Sequence, residues 1–457
     1  MEKTALVLGG GGSRGAYEVG VWKALRELGE TFDIITGTSV GALNGAVAVQ
    51  GDLDKAVELW STISTELVLN IEQDLPDDRA LAREREAFGA LSVTEKLSRL
   101  GLFAREIVVN RGADTTPLRR LLTAHIDEQR VRESACELGI VTVRLDDGKP
   151  CTLFREDIPT GKLVDYLLAS AACYPAMKKQ TIGDKSYIDG GYYDNLPIEL
   201  ALTKGAKRII AVDIQGIGIY RRPALPEGVS IEYVTTAWNL GPILLFEKET
   251  ALRNMQLGYF DMMKKRGRYE GMMYTFELGA CAFLNRAATR TGLRWGTYFG
   301  SEVPVLLPAL RFRVLRTLEN RYRSLFIRAI GTRRKPDIDA ALAAVENAAL
   351  VFELDPTVCY TAPHFCDALQ QQIEQTDAPD TLALEGLVSR SMSLQERGEK
   401  LRRETEKLSA RSIGWLMLQE IEKPTLTAKQ LMALAFAFPA EAAAAAIAAM
   451  LRGNNVE

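Results

Sequence analysis

The chain of 457 residues exceeds one ordinary domain, and its 47 % apolar and 25 % charged residues are the balance of a globular protein with a sizeable core. A net charge of −3 excludes any global pull toward nucleic acid or anionic lipid, so such attraction must be local. Six scattered cysteines without a Cys-x-x-Cys pair, and only two histidines, His125 and His364, leave little for a zinc site and fit reduced thiols.

The chain opens MEKTALVLGGGG. No basic segment leads into a long apolar run and a small-residue cleavage site, so no secretory signal and a cytoplasmic location are expected. TALVLGG reads as a buried strand, Tyr17 to Leu28 as a helix, FDIITG as a second strand and Val40 to Gln50 as a second helix. That alternation is the rhythm of an α/β fold with a parallel sheet between helices. From Asp52 to about Gln129 helical patterns dominate, with charged stretches such as Asp77 to Glu86. Two alternating runs around Asp146, Asp147 and Gly148 read as a hairpin. A helix follows over Gly161 to Cys173, then a short strand into YIDGG. The next helix is expected over Pro197 to Lys204, with Asp194 and Asn195 at its start, and RIIAVDI is a further strand. After about Tyr274 the strand signals fade. Mostly helices are expected from there, with breaks near Gly331, Pro356 and Pro424. The domain boundary is placed near residue 275, giving regions 1–275 and 276–457.

Gly10, Gly12 and Gly15 fit Gly-x-Gly-x-x-Gly between a strand and a helix. A dinucleotide site at this turn would want an acid at the end of the second strand, but Asp33 stands at its start. A phosphate loop would want Gly-Lys-Ser/Thr, and Ser-Arg-Gly stands there instead. Beside these and a purely structural tight turn, the other use of such glycines is an oxyanion hole, in which they let backbone N–H groups converge and the next helix adds its positive end. Arg14 would fix the loop or add charge.

Gly37-Thr38-Ser39-Val40-Gly41 has the Gly-x-Ser-x-Gly form of a nucleophile on a sharp strand-to-helix turn. Neither histidine suits it as a partner. His125 sits in an ordinary helical stretch, and His364 lies in the helical tail, far from any strand-end signal. A carboxylate can take the proton if burial raises its pKa. Asp189 is the best candidate, because it follows a short strand and Gly190 and Gly191 let the chain bend away.

GGGSRG (Gly10 to Gly15), GTSVG (Gly37 to Gly41), DGG (Asp189 to Gly191) and GAKRIIAVDI (Gly205 to Ile214) together resemble the patatin-like phospholipase family of the bacterial type. ASAACYPA and LFEKETALRNMQLGYFD are similar to further family segments, so the resemblance extends over residues 4–275. It implies a three-layer α/β/α catalytic domain with a mainly parallel central sheet, followed here by a mostly helical C-terminal accessory region. It implies a serine lipid acyl hydrolase that cleaves carboxylic esters through a Ser39–Asp189 dyad and an acyl-serine. The backbone N–H groups of Gly11 and Gly12 would form the oxyanion hole with help from Arg14. No cofactor and no metal are implied. Where relatives carry an aromatic and proline run after Pro175, this chain has Ala176-Met177-Lys178-Lys179; the lysines read as solvated or as contacts for an anionic head group. The alternative class is a catalytically silent lipid- or nucleotide-binding protein on the same fold.

Two tail segments bear on lipid contact. Arg311 to Lys335 holds nine Lys/Arg against one Glu, with Leu315, Leu318, Tyr322, Leu325 and Phe326 at helical spacing. This basic amphipathic helix is expected to pack on the catalytic domain; lying on an anionic membrane is the other reading. Leu431 to Leu451 is apolar and Ala-rich but interrupted by Pro439 and Glu441, so packed helices are expected rather than a membrane span.

Overall fold

The computed structural model describes residues 2–69, 112–286, 340–376, 408–422 and 428–453, with 310, 312–314, 316–318 and 320. The chain forms two compact units, Met1–Met262 and Met263–Glu457.

The first unit is built on an eight-stranded sheet. Its strands are β1 (Lys3–Leu8), β2 (Ile34–Thr38), β3 (Glu137–Arg144), β4 (Pro150–Phe154), β5 (Gln180–Ile182), β6 (Lys185–Asp189), β7 (Ala206–Val212) and β8 (Ser230–Val234). The β3–β2–β1–β7–β8 run is parallel, while β4 and β6 pair with β3, and β5 with β6, in the antiparallel sense. The central strands are apolar and buried on both faces, as a parallel sheet covered on both sides requires.

Helices cover the two faces separately. On one face Ala5, Val7, Ile34, Val141, Ile209 and Ala211 meet Ile198, Leu200 and Ala201 of the helix Ile198–Thr203 in one apolar cluster. The opposite face presents Leu8, Ile35 and Leu138, which line the space beside Gly45 of helix α2 (Val40–Gln50). The expected helix–sheet–helix layering is therefore present, with helix α1 (Ala16–Glu27) joining β1 to β2. The expected hairpin is also present, as the β3–β4 pair.

The register along β3 decides where the functional loops end. Val141 pairs with Thr38 of β2 on one side and with Thr152 of β4 on the other. The next residue, Thr142, pairs with Asp189 of β6 and Cys151 of β4. Because β4 holds one edge throughout, β2 and β6 share the other edge end to end. The last residue of β2 and the last residue of β6 thus occupy neighbouring positions.

Three local features differ from the sequence reading. The short strands β5 and β8 carry no clear alternation and are found only through their partners. The helix expected over Pro197 to Lys204 runs over Ile198–Thr203 with Pro197 as its N-cap, while Asp194 and Asn195 stand before it, Asp194 O accepting from Thr38 Oγ1 and Asn195 reaching Gly10 O. Strand pairing also continues past 274, since Thr275–Phe276 and Cys359–Tyr360 form a small parallel pair.

The second unit is otherwise helical over Ala340–Val351, Ala362–Glu374, Ala410–Glu422, Ala428–Ala437 and Pro439–Gly453. Phe276, Tyr360 and Phe365 cluster with ring centroids 5.4–6.3 Å apart. The buried Glu346 carboxyl accepts the amides of Met272, Met273 and Tyr274 at 2.7–3.2 Å, so its oxygens are satisfied by backbone donors. The apolar run 431–451 is split between two helices, with Pro439 opening the second, where its missing N–H breaks no bond. Most of the basic segment 311–335 lies outside the described residues; in its helical residues 312–314 and 316–318, Val314 and Leu318 are buried and Phe312 is exposed. The charged stretch 77–86 and the breaks near 331 and 424 also lie outside them. Among the described residues no helix is long and apolar enough to cross a membrane.

Candidate active site

Ser39 sits between the end of β2 and the start of α2 with φ 55° and ψ −128°. A non-glycine residue in that region costs about 1–3 kcal/mol, and it persists only where the surroundings enforce it. The surroundings here are close-packed backbone. A Cβ on Gly37 would stand 2.3 Å from the carbonyl of Gly41, and one on Gly41 would stand 2.4 Å from the Leu8 oxygen. The two glycines let strand and helix approach within one turn, which leaves Ser39 at the apex and part-exposed. Its amide donates to Ser170 Oγ at 2.9 Å, and Ser170 in turn donates to the Val141 carbonyl at 2.7 Å. Ser170 thereby bridges the gap where the β2–β3 ladder ends.

Asp189 ends β6, and Gly190 and Gly191 turn the chain immediately after it. A Cβ on Gly190 would fall 2.2 Å from the Val141 oxygen, so this turn also needs glycine. The Asp189 side chain is 7 % exposed. Burial pushes its pKa up to about 6, against the opposing pull of the Gly191 amide, at 2.7 Å from Oδ1, and of the neighbouring Ser39 hydroxyl. No histidine is among the described hydrogen-bond partners of either side chain. His125 ends the helix Thr116–His125, and His364 lies in the second unit.

The glycine loop lies against this pair. A Cβ on Gly10 would stand 3.2 Å from Ser39 Cβ. The loop amides divide by use. Gly9 donates to Val212 O, Gly10 to Asn195 O, Ser13 to Ile243 O and Arg14 to Gly11 O. Among the described residues the amides of Gly11 and Gly12 have no acceptor. Gly12 has φ 56°, and a Cβ there would meet Ile243 O at 2.1 Å. Arg14 binds the carbonyls of Gly241, at 2.8 Å, and Gln215, so its guanidinium anchors the loop. Gly15 admits Val40 and Asn44 at the α1–α2 crossing, where a Cβ would stand 2.5 Å from Val40.

Residues not singled out from sequence complete the surroundings. Asn195 Nδ2 donates to Gly10 O at 3.0 Å and lies 3.0 Å from Tyr220 Oη; Tyr220 reaches the buried Asp213 at 3.1 Å. Burial raises the pKa of Asp213 and pushes the Tyr220 phenol well up. On the far side Glu18 is buried against Asn44 Nδ2 at 2.8 Å, and burial raises its pKa well above the usual carboxylate range. These residues stand in the quoted motifs or beside them, but only the tertiary contacts give them a task. Lys178 and Lys179 are exposed.

Residues 6–202 match the family model described as patatin-like phospholipase. The chain is similar to patatin-like phospholipase domain-containing protein 7 of Mus musculus, 27 % identical over 210 residues, or 46 % of this chain and 13 % of that protein. It is likewise similar to lysophospholipase NTE1 of Mycosarcoma maydis, 27 % identical over 216 residues, or 46 % of this chain and 10 % of that protein. The match therefore spans a small part of these relatives' length. VipD of Legionella pneumophila aligns over 97 % of this chain and 92 % of that chain at 12 % identity, with a TM-score of 0.33, too loose an overlap to bear on the site. Residues 6–202 thus form a domain that matches the patatin-like phospholipase family model, and the similarity to these relatives is confined to under half of the chain.

Proposed function

We propose that this protein is a serine lipid acyl hydrolase that cleaves carboxylic esters of phospholipids or related lipids with Ser39 as nucleophile and Asp189 as base. The observation that carries this reading is the placement of Ser39, strained at the end of β2, beside Asp189 at the end of β6, on neighbouring positions of β3, where burial raises the pKa of the carboxyl to about 6. Such a group is ionised at neutral pH yet basic enough to take a proton in the transition state. Asp189 accepts the hydroxyl proton as Ser39 Oγ attacks the ester carbonyl. The tetrahedral oxyanion is received by the amides of Gly11 and Gly12, and the N-terminus of α2 adds favourable potential at the serine. Protonated Asp189 then gives its proton to the leaving oxygen, so alcohol or lysolipid departs and acyl-Ser39 remains. Water attacks the acyl-enzyme, with Asp189 taking its proton and returning it to Ser39 as the fatty acid leaves. Arg14 contributes by holding the loop.

In this reading residues 1–275 are the catalytic region and 276–457 a helical accessory region. The fungal relative's name supports lysophospholipids as one substrate class to be tried. A fluorophosphonate probe tests the proposal directly. The wild-type protein is expected to label once, at Ser39, and to hydrolyse a panel of phospholipid, lysophospholipid and monoacylglycerol esters. A protein that neither labels nor hydrolyses any of them is the silent binding protein of the alternative reading.

A further inference from the structure

The segment that follows β7 inverts the usual burial rule. Gly216 and Gly218 face inward: a Cβ on Gly216 would stand 1.8 Å from Gly10 O, and one on Gly218 would stand 2.8 Å from Asn195 Cβ. Between and after them, Ile217 and Ile219 face outward and are 88 % and 55 % exposed. The backbone is fixed in that orientation. Ile219 donates to Gly191 O at 2.9 Å, and Asn195 donates to Ile219 O at 2.7 Å. Ile214, fully buried, fills the space against Gly11. The segment therefore rests on the oxyanion-type loop at one side and on the Asp189 turn at the other. Tyr192 and Tyr174 are 48 % and 36 % exposed, and the Tyr192 hydroxyl donates to the Tyr174 carbonyl. Single exposed apolar side chains are common, but two isoleucines and two tyrosines around one site form a patch that calls for a partner. The chain then runs directly into the exposed Arg221 and Arg222, a basic flank to an apolar patch.

We propose that Ile217 and Ile219, flanked by Tyr174 and Tyr192, form a rim that enters the acyl layer of a lipid aggregate and holds the Ser39 entrance at its surface. Apolar side chains suit the hydrocarbon, tyrosines suit the layer between chains and head groups, and Arg221 and Arg222 suit the phosphates of anionic lipid. The use of this contact rests on the hydrolase reading above; the contact itself is measurable without turnover. The inward glycines keep the rim's backbone against the glycine loop and the Asp189 turn.

The test is sedimentation of full-length Ser39→Ala protein with vesicles of equal parts phosphatidylcholine and phosphatidylglycerol, with and without Ile217→Asp and Ile219→Asp. Both positions are solvent-exposed, so folding is expected to survive and is checked by thermal melting. The double variant is expected to bind at least about ten-fold more weakly, the scale of losing two inserted aliphatic side chains. In the Ser39 protein the ratio of vesicle-phospholipid to dissolved p-nitrophenyl butyrate hydrolysis is expected to fall by a similar factor. Unchanged vesicle binding in the double variant overturns the proposal. So does a wild-type dimer that the double variant splits, since the rim would then be a contact between two copies. If no ester is hydrolysed but vesicle binding still depends on Ile217 and Ile219, the hydrolase reading fails while the rim stands.

Discussion

Ser39 and Asp189 meet because one strand sets the position of both. Thr38, which precedes Ser39, pairs with Val141 of β3, and Asp189 pairs with the next residue, Thr142. The nucleophile candidate thus leaves β2 at the place where the base candidate ends β6, on the same edge of β3. Ser170 occupies the junction, taking the Ser39 amide and giving its proton to Val141 O. A hydroxyl and a carboxylate far apart in sequence are thereby held together by backbone ladders.

Replacement of either partner should abolish turnover while leaving the fold intact. Asp189→Asn and Ser39→Ala are each expected to lower kcat for any ester that the wild type cleaves by about a thousand-fold or more, the scale of losing the base or the nucleophile. His125→Ala and His364→Ala are expected to stay within about two-fold of wild type, an order-of-magnitude allowance for surface effects. Steady-state kinetics on the four variants checks this. A dead His364→Ala beside an active Asp189→Asn would reverse the assignment of the base.

The pH dependence follows from the raised pKa of Asp189. With the folded value at about 6, only the ionised form can accept the serine proton, so kcat/KM should fall about ten-fold per pH unit below that point. The stability effect has the opposite sense from the usual carboxylate. The folded pKa lies above the unfolded one, so the native state binds more protons between about pH 4 and about 6, and stability is lost as pH rises through that window. Ionised Asp189 therefore costs the fold something on the order of 2–3 kcal/mol at pH 8. Asp189→Asn should melt at a higher temperature than wild type at pH 8, with the gap closing below pH 4. Asp194 also stands at about 6, raised by burial, but it is common to both proteins and cancels in the difference.

The elements that carry most of this chemistry are legible from local pattern. Apolar runs broken by glycine mark β1 and β2, and Gly37, Gly41 and Gly190 mark turns where any Cβ would strike backbone. What local pattern cannot register is a side chain whose task lies across the sheet. Ser170 resembles any small helix residue until its hydroxyl is found between Val141 and Ser39. Asn195 resembles a helix start, whereas its amide reaches back to Gly10. The strand pair at Thr275 and Cys359 is too short for periodicity and exists only through a partner distant in the chain.

Ser170 should behave as a positioning residue for the nucleophile. Ser170→Ala leaves the Ser39 amide and the Val141 oxygen without their shared hydroxyl, a loss of about 1–3 kcal/mol for buried polar groups left unpaired. The strained φ of Ser39 depends on such restraints, so kcat is expected to fall about ten-fold or more. KM should move little, because Ser170 does not line the space that the ester occupies. Ser170→Thr keeps the hydroxyl and should restore most of kcat, whereas a purely structural loss would show equally in melting temperature and would not respond to the hydroxyl.

Asn195 offers the corresponding test for the oxyanion loop. Its amide ties Gly10 to the Asp189 turn and meets Tyr220, which leans on Asp213. Asn195→Ala frees the carbonyl side of Gly10 and lets the Gly11 and Gly12 amides drift from the oxyanion position. The expected loss in kcat is about ten- to a hundred-fold, less than removal of a donor itself, with KM near the wild-type value. Tyr220→Phe should cost less, since Asn195 still holds Gly10 directly. In the double variant the Tyr220 effect should shrink without vanishing, because one of its contacts runs through Asn195 while another goes to Gly216 O at 3.1 Å, which packs on Gly10; full additivity would show that the Asn195 contact carries none of it. The second-order rate of fluorophosphonate labelling at Ser39 gives an independent readout. It should fall with Asn195→Ala in step with kcat, since the phosphonyl oxygen draws on the same loop amides as the ester oxyanion.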